Sequence, residues 1–286
     1  MDRINHRASD EELAALAAGG DRRALEEVLE RYAAWIHNLA WRMVGDPIEA
    51  EDLSQEAMIK VVTRLSTFRG ESRFRTWLYS IVSRCALDLR RQPREGIFSS
   101  FAAHAAMLNT LEGPPDTRLR AADCGLMAEE TRSVCLEGML LCLDREQRLV
   151  FILGGLFNLP SDELSAVLDL SADAVRQRLS RARRELRGYM VGRCGLFEPP
   201  GPCRCSYKTV AAMRAGFIDP DRRVFTEERV RSVRDQVRRT GLELENLQSG
   251  DGLGVFLEEP FLEGRPSFLP VLIKRLSKEA EHHGRN

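Results

Sequence analysis

Three cysteines near the carboxyl end of the sequence are suited to bind a soft metal ion. Cys194, Cys203 and Cys205 fall within twelve residues, and the last two form a Cys-x-Cys pair in a proline-rich stretch. Thiolates bind zinc or copper, and three of them leave a closed tetrahedral site one ligand short. The candidates for a fourth ligand are Cys124, Cys135, Cys142, His282 and His283. The alternative is an open position that serves sensing.

Two other interpretations of these thiols remain open. The chain has seven cysteines, an odd number, and its first ten residues lack the apolar core of a secretory signal. This combination disfavours a framework of structural disulfides and favours reduced thiols or metal ligands. The cysteines are therefore a zinc or copper site, redox-responsive thiols or plain structural residues.

Arginines are concentrated in two stretches of an otherwise neutral chain. The totals are 42 Lys and Arg against 43 Asp and Glu, which excludes a uniformly basic nucleic-acid-binding protein. Seven arginines and two acidic residues lie between Arg69 and Arg94, and the same numbers lie between Ala172 and Arg193. Each patch can bind phosphate groups.

The first patch combines arginines with aromatic residues. In the loop from Phe68 to Phe74 the two types alternate around Gly70. Rings stack on unpaired bases while guanidinium groups hold the backbone, and each stacked base contributes about 1–3 kcal/mol. The alternative is that the rings belong to the core, as aromatic residues more often do. The candidate contacts to melted DNA in this loop and on the outer face of the next helix are Phe68, Arg69, Arg73, Phe74, Arg75, Ser80 and Arg84.

The second patch lies on the second helix of a predicted helix-turn-helix. Ser171 is a suitable N-cap for this helix. Its inward positions are Val175, Leu179, Ala182 and Leu186. Its outward positions are Asp173, Arg176, Gln177, Ser180, Arg181 and Arg184. Arginine can contact guanine and glutamine can contact adenine, so this face fits a major groove. The alternative is a solvated arginine-rich helix.

A third surface is acidic. On a helix predicted from Ile48 to Leu65, four residues project away from the apolar side: Asp52, Gln55, Glu56 and Ile59. An apolar side chain among carboxylates suits a protein partner, although a solvated acidic face has the same composition.

The elements that position these surfaces are predicted to be helices, because apolar residues recur at three- and four-residue steps and period-two patterns are absent. We predict an all-α protein with an N-terminal helical bundle at 1–92, a flexible linker at 93–130, a helix-turn-helix domain at 131–191 and a mostly helical tail at 192–286. The tail helices are expected at Thr209–Ala215, Thr226–Leu247 and Phe268–Glu281. No run of about 18 apolar residues occurs, so we expect a soluble, cytoplasmic protein without membrane insertion.

The order of these parts resembles the extracytoplasmic-function (ECF) sigma factors of the sigma-70 family, over about Asp21 to Met190. The stretch 51–56, EDLSQE, is similar to their acidic polymerase-binding motif, and 68–78, FRGESRFRTWL, to their melting and downstream-element segment. The stretch 143–150, LDREQRLV, followed by 164–187, is similar to their upstream-element domain.

The resemblance implies a promoter-recognition subunit that has no catalytic residues and requires no cofactor. Core RNA polymerase and promoter DNA are the implied partners, and whether an anti-sigma factor also binds stays open. Asp52, Gln55 and Glu56 would dock on the clamp helices of the large subunit, the loop 68–74 would capture an extruded base, and the linker would thread the RNA-exit path. The expected trigger is a stress or environmental signal.

The tail departs from the common family pattern, since a minimal member would end near Met190. Some members carry tails with Cys-Gly-Leu, then Pro-Cys-x-Cys and a nearby lysine, here Lys208. Two alternatives to the sigma factor remain: a stand-alone helix-turn-helix regulator that binds an operator as a dimer, and a metal- or redox-sensing interaction protein.

Overall fold

The structure is a computed structural model that describes residues 8–90, 93–111, 121–198, 201–219, 221, 256 and 266–283, without the side chains of 121–124 and 277–283. The regular structure of these residues is helical, as predicted, with one isolated bridge between Cys194 and Cys203. The predicted helix Thr226–Leu247 lies outside the described residues.

The described residues form twelve α-helices. They are α1 (Asp10–Ala18), α2 (Arg22–Val44), α3 (Pro47–Arg64), α4 (Phe74–Asp88), α5 (Pro93–Ile97), α6 (Phe101–Thr110), α7 (Ala121–Leu141), α8 (Arg145–Phe151), α9 (Ser161–Leu168), α10 (Ala172–Met190), α11 (Cys205–Arg214) and α12 (Leu269–His283). A 3₁₀ turn, Leu65–Thr67, follows α3, and a π turn, Ile152–Leu156, follows α8.

The chain divides into two compact units. The first comprises 1–90, 159–175 and 262–286, and the second comprises 91–158 and 176–261. The tail is therefore shared, because α11 belongs to the second unit and α12 to the first. The domain boundaries inferred from the sequence stay predictions.

Helix α2 is the centre of the first unit. Asp21 caps its start by accepting from the Ala24 amide, and Gly45 ends it with a φ of 67°, a left-handed conformation that favours glycine. The apolar residues that recur at three- and four-residue steps in this helix form a stripe that is buried along its length: Leu25, Val28, Leu29, Tyr32, Ile36, Leu39 and Met43. Burial of each large apolar side chain contributes about 1.5–3 kcal/mol, so this stripe supplies much of the core that positions α3 and α4.

The start of α4 depends on a contact from α1. Its N-cap residue, Arg73, makes no side-chain cap hydrogen bond. Instead, Glu11 of α1 accepts from the Phe74 amide at 3.0 Å. A first-turn amide has no partner within its own helix, so Glu11 stabilises the end of α4 that faces the arginine-containing loop.

A buried ionic network organises the second unit. Arg148 of α8 donates to Glu95 of α5 at 2.9 Å. It also donates to the carbonyls of Leu140 and Leu141 at the end of α7 and of Leu143 just after it. Arg145 donates to both oxygens of the Glu95 carboxylate. Burial lowers the pKa of Arg148, and the adjacent Glu95 opposes that effect. The network ties α5, α7 and α8 together.

Candidate nucleic-acid interface

The outer face of α10 is the clearest basic surface. The Ser171 hydroxyl accepts from the Ala174 amide at 3.2 Å, which is the N-cap expected from the sequence. Three of the four inward positions, Val175, Ala182 and Leu186, are fully buried, and Leu179 is half-buried. All six outward positions are exposed: Asp173, Arg176, Gln177, Ser180, Arg181 and Arg184. The structure thus presents these six side chains on one helix face.

The turn between α9 and α10 is tight because of one residue. Asp169 ends α9 with a φ of 53°, and its amide donates to the Ser165 carbonyl. The next amide, that of Leu170, bonds the same carbonyl at 3.1 Å. Aspartate tolerates the left-handed conformation better than most residues, so the chain can reverse here without glycine.

Side-chain pairs at the flank of α10 anchor it to α8. Arg178 donates to Glu146 from Nε at 3.1 Å and from a terminal nitrogen at 2.8 Å. Gln147 donates to Glu185 at 3.3 Å. These pairs set the rotation of α10 about its axis, and therefore which of its side chains point outward.

The aromatic residues of the first patch lie largely inside the first unit. Phe74 is fully buried, and its ring packs edge-on against Tyr32 and Phe68 at centroid distances of 5.8 and 5.3 Å. Phe68 and Trp77 are half-buried. In this conformation Phe74 is therefore a core residue, the alternative that the sequence left open, whereas the Phe68 ring reaches the surface.

The basic residues of this patch have different environments. Arg69, Arg73 and Arg84 are exposed, and Ser80 is half-buried and donates to the Trp77 carbonyl. Arg75 instead pairs with Glu163 of α9 at 2.8 Å, within the first unit. Burial is the largest single effect and acts to lower the pKa of Arg75, but the hydrogen bond that Arg75 donates to Glu163 and the negative charge of Glu163 together oppose it, and the net pKa is raised.

The acidic face of α3 has the orientation predicted from its spacing. Asp52 and Glu56 are exposed, whereas Gln55 and Ile59 are half-buried. Lys60 pairs with Glu56 at 2.7 Å, and this hydrogen bond raises the pKa of Lys60. The face thus combines carboxylates with one partly exposed apolar side chain.

The cysteines of the tail line a small pocket in the second unit. Cys194, Cys203 and Cys205 contribute to it, together with Cys135 of α7. The cavity volume is about 20 Å³, enough for one small ligand atom or ion. Among the described side chains, no group of three or more His, Cys, Asp or Glu residues is arranged to hold a metal ion.

Burial favours the neutral form of two thiols in this pocket. It raises the pKa of Cys203, and it raises the pKa of Cys205 to about 12. Neutral thiols are poor nucleophiles, so this environment disfavours rapid oxidation at neutral pH. Of the proposed fourth ligands, Cys135 lies in the pocket, whereas Cys142 bonds the Gly138 carbonyl. The side chains of Cys124, His282 and His283 lie outside the described residues.

Sequence reasoning missed the partners of several site residues. Glu163 and Glu146 were not singled out, although they bind Arg75 and Arg178. His104 was also missed, and it is fully buried, with Nδ1 2.7 Å from the Tyr189 hydroxyl and Nε2 3.8 Å from the Cys135 sulfur. An isolated histidine in an alanine-rich helix carries no local signal for such long-range contacts.

Comparison with known proteins finds family matches over two stretches of the chain. The Sigma-70 region 2 family matches residues 28–95, which contain α3, α4 and the loop between them. The Sigma-70, region 4 family matches residues 133–186, which contain α8, α9 and the outward residues of α10. A stand-alone helix-turn-helix regulator does not account for the first of these matches.

The chain is also similar to curated sigma factors over most of their length. The chain is 28% identical to the ECF RNA polymerase sigma factor SigW of Bacillus subtilis over 173 residues, which cover 59% of this chain and 89% of that protein. It is 29% identical to the RNA polymerase sigma-H factor of Pseudomonas aeruginosa over 184 residues, which cover 61% and 90%. It is 27% identical to the ECF RNA polymerase sigma-E factor of Escherichia coli over 188 residues, which cover 63% and 93%.

A solved structure was also similar, that of CnrH in complex with the cytosolic domain of CnrY. The likeness has a TM-score of 0.47 at 24% identity and covers 64% of this chain and 97% of that one. Among the described residues, no helix combines the length and apolar character needed to cross a membrane.

Both matched regions belong to promoter-recognition subunits, which bind core RNA polymerase, direct transcription initiation and are not enzymes. Their order along the chain, region 2 before region 4, is the order in which the structure places the acidic face of α3 and the basic face of α10. The chain therefore belongs to the ECF sigma factors of the sigma-70 family.

Proposed function

We propose that the outward face of α10 reads the upstream promoter element in the major groove. The observation that carries this proposal is the exposure of all six outward residues above a buried inner row. Arg176, Gln177, Ser180 and Arg181 are assigned to base edges, where arginine suits guanine and glutamine suits adenine. Asp173 and Arg184 border this set, and Arg184 is placed to contact phosphate.

The loop from Phe68 to Phe74 and the start of α4 are assigned to the melted downstream element. The exposed Arg69 and Arg73 suit the backbone of a single strand, and Phe68 is the ring that can stack on an extruded base. Arg75, Ser80 and Arg84 continue this surface along α4. Phe74 reaches DNA only if its packing against Tyr32 and Phe68 is rearranged.

The acidic face of α3 is assigned to polymerase docking. Asp52 and Glu56 are exposed, and Ile59 on the same face is a partly exposed apolar side chain. A charged rim around an apolar side chain favours specific protein association, because the charges select the partner and the apolar contact excludes water.

Reconstituted transcription tests these assignments. The full chain is mixed with sigma-free core polymerase and a library of genomic promoter fragments, and RNA ends are sequenced. Promoter-specific RNA is expected only when both proteins are present. The matched variants are Asp52→Ala with Glu56→Ala, which should weaken core binding, and Arg22→Ala with Arg23→Ala on α2, which should not. The absence of RNA from every template would contradict the proposal.

We further propose that Cys194, Cys203 and Cys205 bind zinc or copper, with Cys135 as the fourth ligand. These thiols must rearrange on binding, because the described side chains are not arranged to hold a metal ion. Four sulfur-bearing side chains in one small pocket support this choice over redox-responsive thiols, whose reactivity requires thiolates. Binding must release protons from buried thiols, so affinity should rise with pH, by up to about tenfold per pH unit for each proton released.

Metal titration at pH 6, 7 and 8, with elemental analysis of the purified chain, tests this site. Cys205→Ser should abolish stoichiometric binding, whereas Cys85→Ser in the first unit should leave it unchanged. Equal binding by both variants would contradict the site. An anti-sigma partner, a cytoplasmic location and activation by an environmental signal are further proposals that rest on family membership.

A further inference from the structure

Helix α11 of the cysteine-bearing tail packs against the segment that connects the two sigma regions. The connecting segment is defined here as residues 93–111, which contain α5 and α6. The shared core is formed by Leu111 after α6, Met127 of α7, Ala212 of α11 and Ile218 after it, all buried. The connecting segment is therefore not separate from the tail in the second unit.

A charged hydrogen bond fixes the end of α6. The Lys208 ammonium of α11 donates to the Leu108 carbonyl at 2.8 Å and to the Leu111 carbonyl at 3.3 Å. The last carbonyls of a helix have no partner within it and carry partial negative charge, so a cation placed there stabilises the helix. The Leu111 amide already donates to the Leu108 carbonyl at 3.2 Å, so Lys208 adds from the tail a second, charged donor at this end of α6.

A buried hydroxyl pair attaches α11 to α7. The Thr131 and Thr209 hydroxyl oxygens lie 3.0 Å apart, and both side chains are buried. Thr209 also donates to the Cys205 carbonyl in the first turn of α11. The single hydroxyl proton of Thr131 can be donated to Thr209 or to the Met127 carbonyl of α7 at 2.7 Å, so the pair contributes to the register of α11 on α7 together with the apolar core.

We propose that α11 holds the connecting segment in a folded conformation by packing against it. This contact must open before the chain binds core polymerase. This inference rests on the proposed function. It assumes, as the family resemblance implies, that the connecting segment threads the RNA-exit path when the chain is bound to core polymerase and no longer packs against α11. Lys208, Thr209 and the shared apolar core constitute the clasp. The clasp lowers the population of chains ready to bind, and apparent affinity falls in proportion to that population.

Hydrogen exchange of the full-length chain tests the clasp itself. In Lys208→Met, the amides of α6 should exchange about tenfold faster than in the unaltered chain. Without the charged hydrogen bonds of Lys208, the local opening of α6 costs less free energy. Lys208→Arg keeps a donor, so its α6 amides should exchange more slowly than those of Lys208→Met. The matched control is Arg214→Met, an exposed cation in the last turn of the same helix. Equal exchange in Lys208→Met and Arg214→Met would overturn the proposal.

A double-mutant cycle covers the case in which Lys208→Met unfolds the second unit. Thr131→Val and Thr209→Val keep the side-chain shape and remove the hydroxyl pair. If the clasp exists, the two substitutions should be non-additive in the exchange of α6. Additive effects, or none on α6, would overturn it.

Binding to core polymerase tests the functional consequence. Lys208→Met should bind core up to about tenfold more tightly than Arg214→Met, in line with the exchange result. Faster α6 exchange without tighter binding would show that the clasp forms but does not restrain polymerase engagement, which overturns that step. If no variant binds core, the proposed function fails, while the exchange data still decide whether α11 holds α6.

Discussion

The two arginine-rich surfaces have similar compositions but are presented differently. On α10 every outward side chain assigned to DNA is exposed above a buried row. In the loop before α4, the Phe74 ring is buried and Arg75 is paired with Glu163. One surface is complete in the free chain, and the other is partly engaged within its own unit.

The difference follows from the two forms of DNA that the surfaces are proposed to bind. A duplex groove has a regular shape, so a rigid helix face can be complementary to it in advance. A melted strand has no fixed shape, and its bases stack on rings that must become accessible. A surface that binds the melted strand better than the duplex lowers the free energy of opening, and partial burial of its rings in the free chain reduces binding elsewhere.

The cores beneath the surfaces also differ. Phe74 lies in a cluster of rings in the first unit. Both units bury rings and an arginine, Arg42 in the first and Arg148 in the second, but His104 of the second unit is the one fully buried histidine among the described residues. We therefore expect acid to destabilise the second unit more than the first.

The largest effect is expected from the two phenylalanines of the loop. Phe74→Ala should lower the free energy of unfolding by about 3–5 kcal/mol, because a fully buried ring is replaced by a cavity. Phe68→Ala should cost less stability and instead weaken binding of the melted strand by about 1–3 kcal/mol. Thermal denaturation measures the first quantity, and permanganate reactivity of promoter thymines measures the second.

Phe68→Leu is the matched control for this pair, because it keeps an apolar side chain and removes the ring. It should reproduce the defect in promoter opening with a smaller loss of stability. If Phe74→Ala is as stable as the unaltered chain, the assignment of Phe74 to the core is wrong.

The second effect concerns the pH dependence of the second unit through His104. Burial is the main cause that lowers the pKa of His104 to about 4 from 6.5. The folded state therefore binds a proton less readily than the unfolded state, and its stability is retained above pH 6.5 and lost as the pH falls towards 4. The difference corresponds to about 3 kcal/mol.

Chemical denaturation followed at several pH values between 7 and 4 measures this dependence. His104→Gln keeps a hydrogen-bonding side chain without a titrating group and should show a shallower fall in stability, by about 3 kcal/mol over this range. Tyr189→Phe removes the hydroxyl that bonds Nδ1 and should leave the direction of the dependence unchanged. An identical fall in the His104→Gln variant would exclude His104 as its source.

The third effect concerns the preformed surface. Arg176→Ala and Arg181→Ala should each weaken promoter-specific initiation by about 1–3 kcal/mol and relax base preference at one upstream position, with little change in stability. Initiation assays on promoter libraries measure both outcomes. Arg22→Ala on α2 is the control for the loss of one exposed arginine. A uniform loss across all promoter sequences would indicate phosphate contacts and contradict base readout.

Local patterns in the sequence predicted many of the helices and many of the buried positions. The apolar positions of α2, the Ser171 cap and the inward row of α10 depend on spacing within one helix, and the structure places them accordingly. Helix ends were less accurate: the tail helix expected at Thr209–Ala215 begins at Cys205 and ends at Arg214, because end residues have few local constraints.

Contacts between distant residues could not be predicted in this way. Arg75 and Glu163 are 88 residues apart, and Lys208 lies 100 residues from Leu108. Spacing shows that a residue is outward or charged, but which partner it meets depends on how helices pack. The helices α5 and α6 were not predicted either, since α5 is short and α6 is rich in alanine without a clear apolar stripe.

The smallest effect is expected from the ion pair that engages the second surface. Glu163→Gln should increase affinity of the full chain for a single-stranded promoter oligonucleotide by up to about fivefold, because partly exposed ion pairs contribute less than about 1 kcal/mol. Fluorescence anisotropy measures this affinity, and the gain should shrink as salt screens the pair. Glu27→Gln removes a comparable partner from Arg31 on α2 and should have no effect. Loss of the charge on Glu163 removes this ionic partner of Arg75, so the terminal nitrogens of its guanidinium can turn towards phosphate, while Nε is buried. Weaker binding by Glu163→Gln would mean that Glu163 orients Arg75 for DNA, so that the loop surface, like that of α10, is preformed.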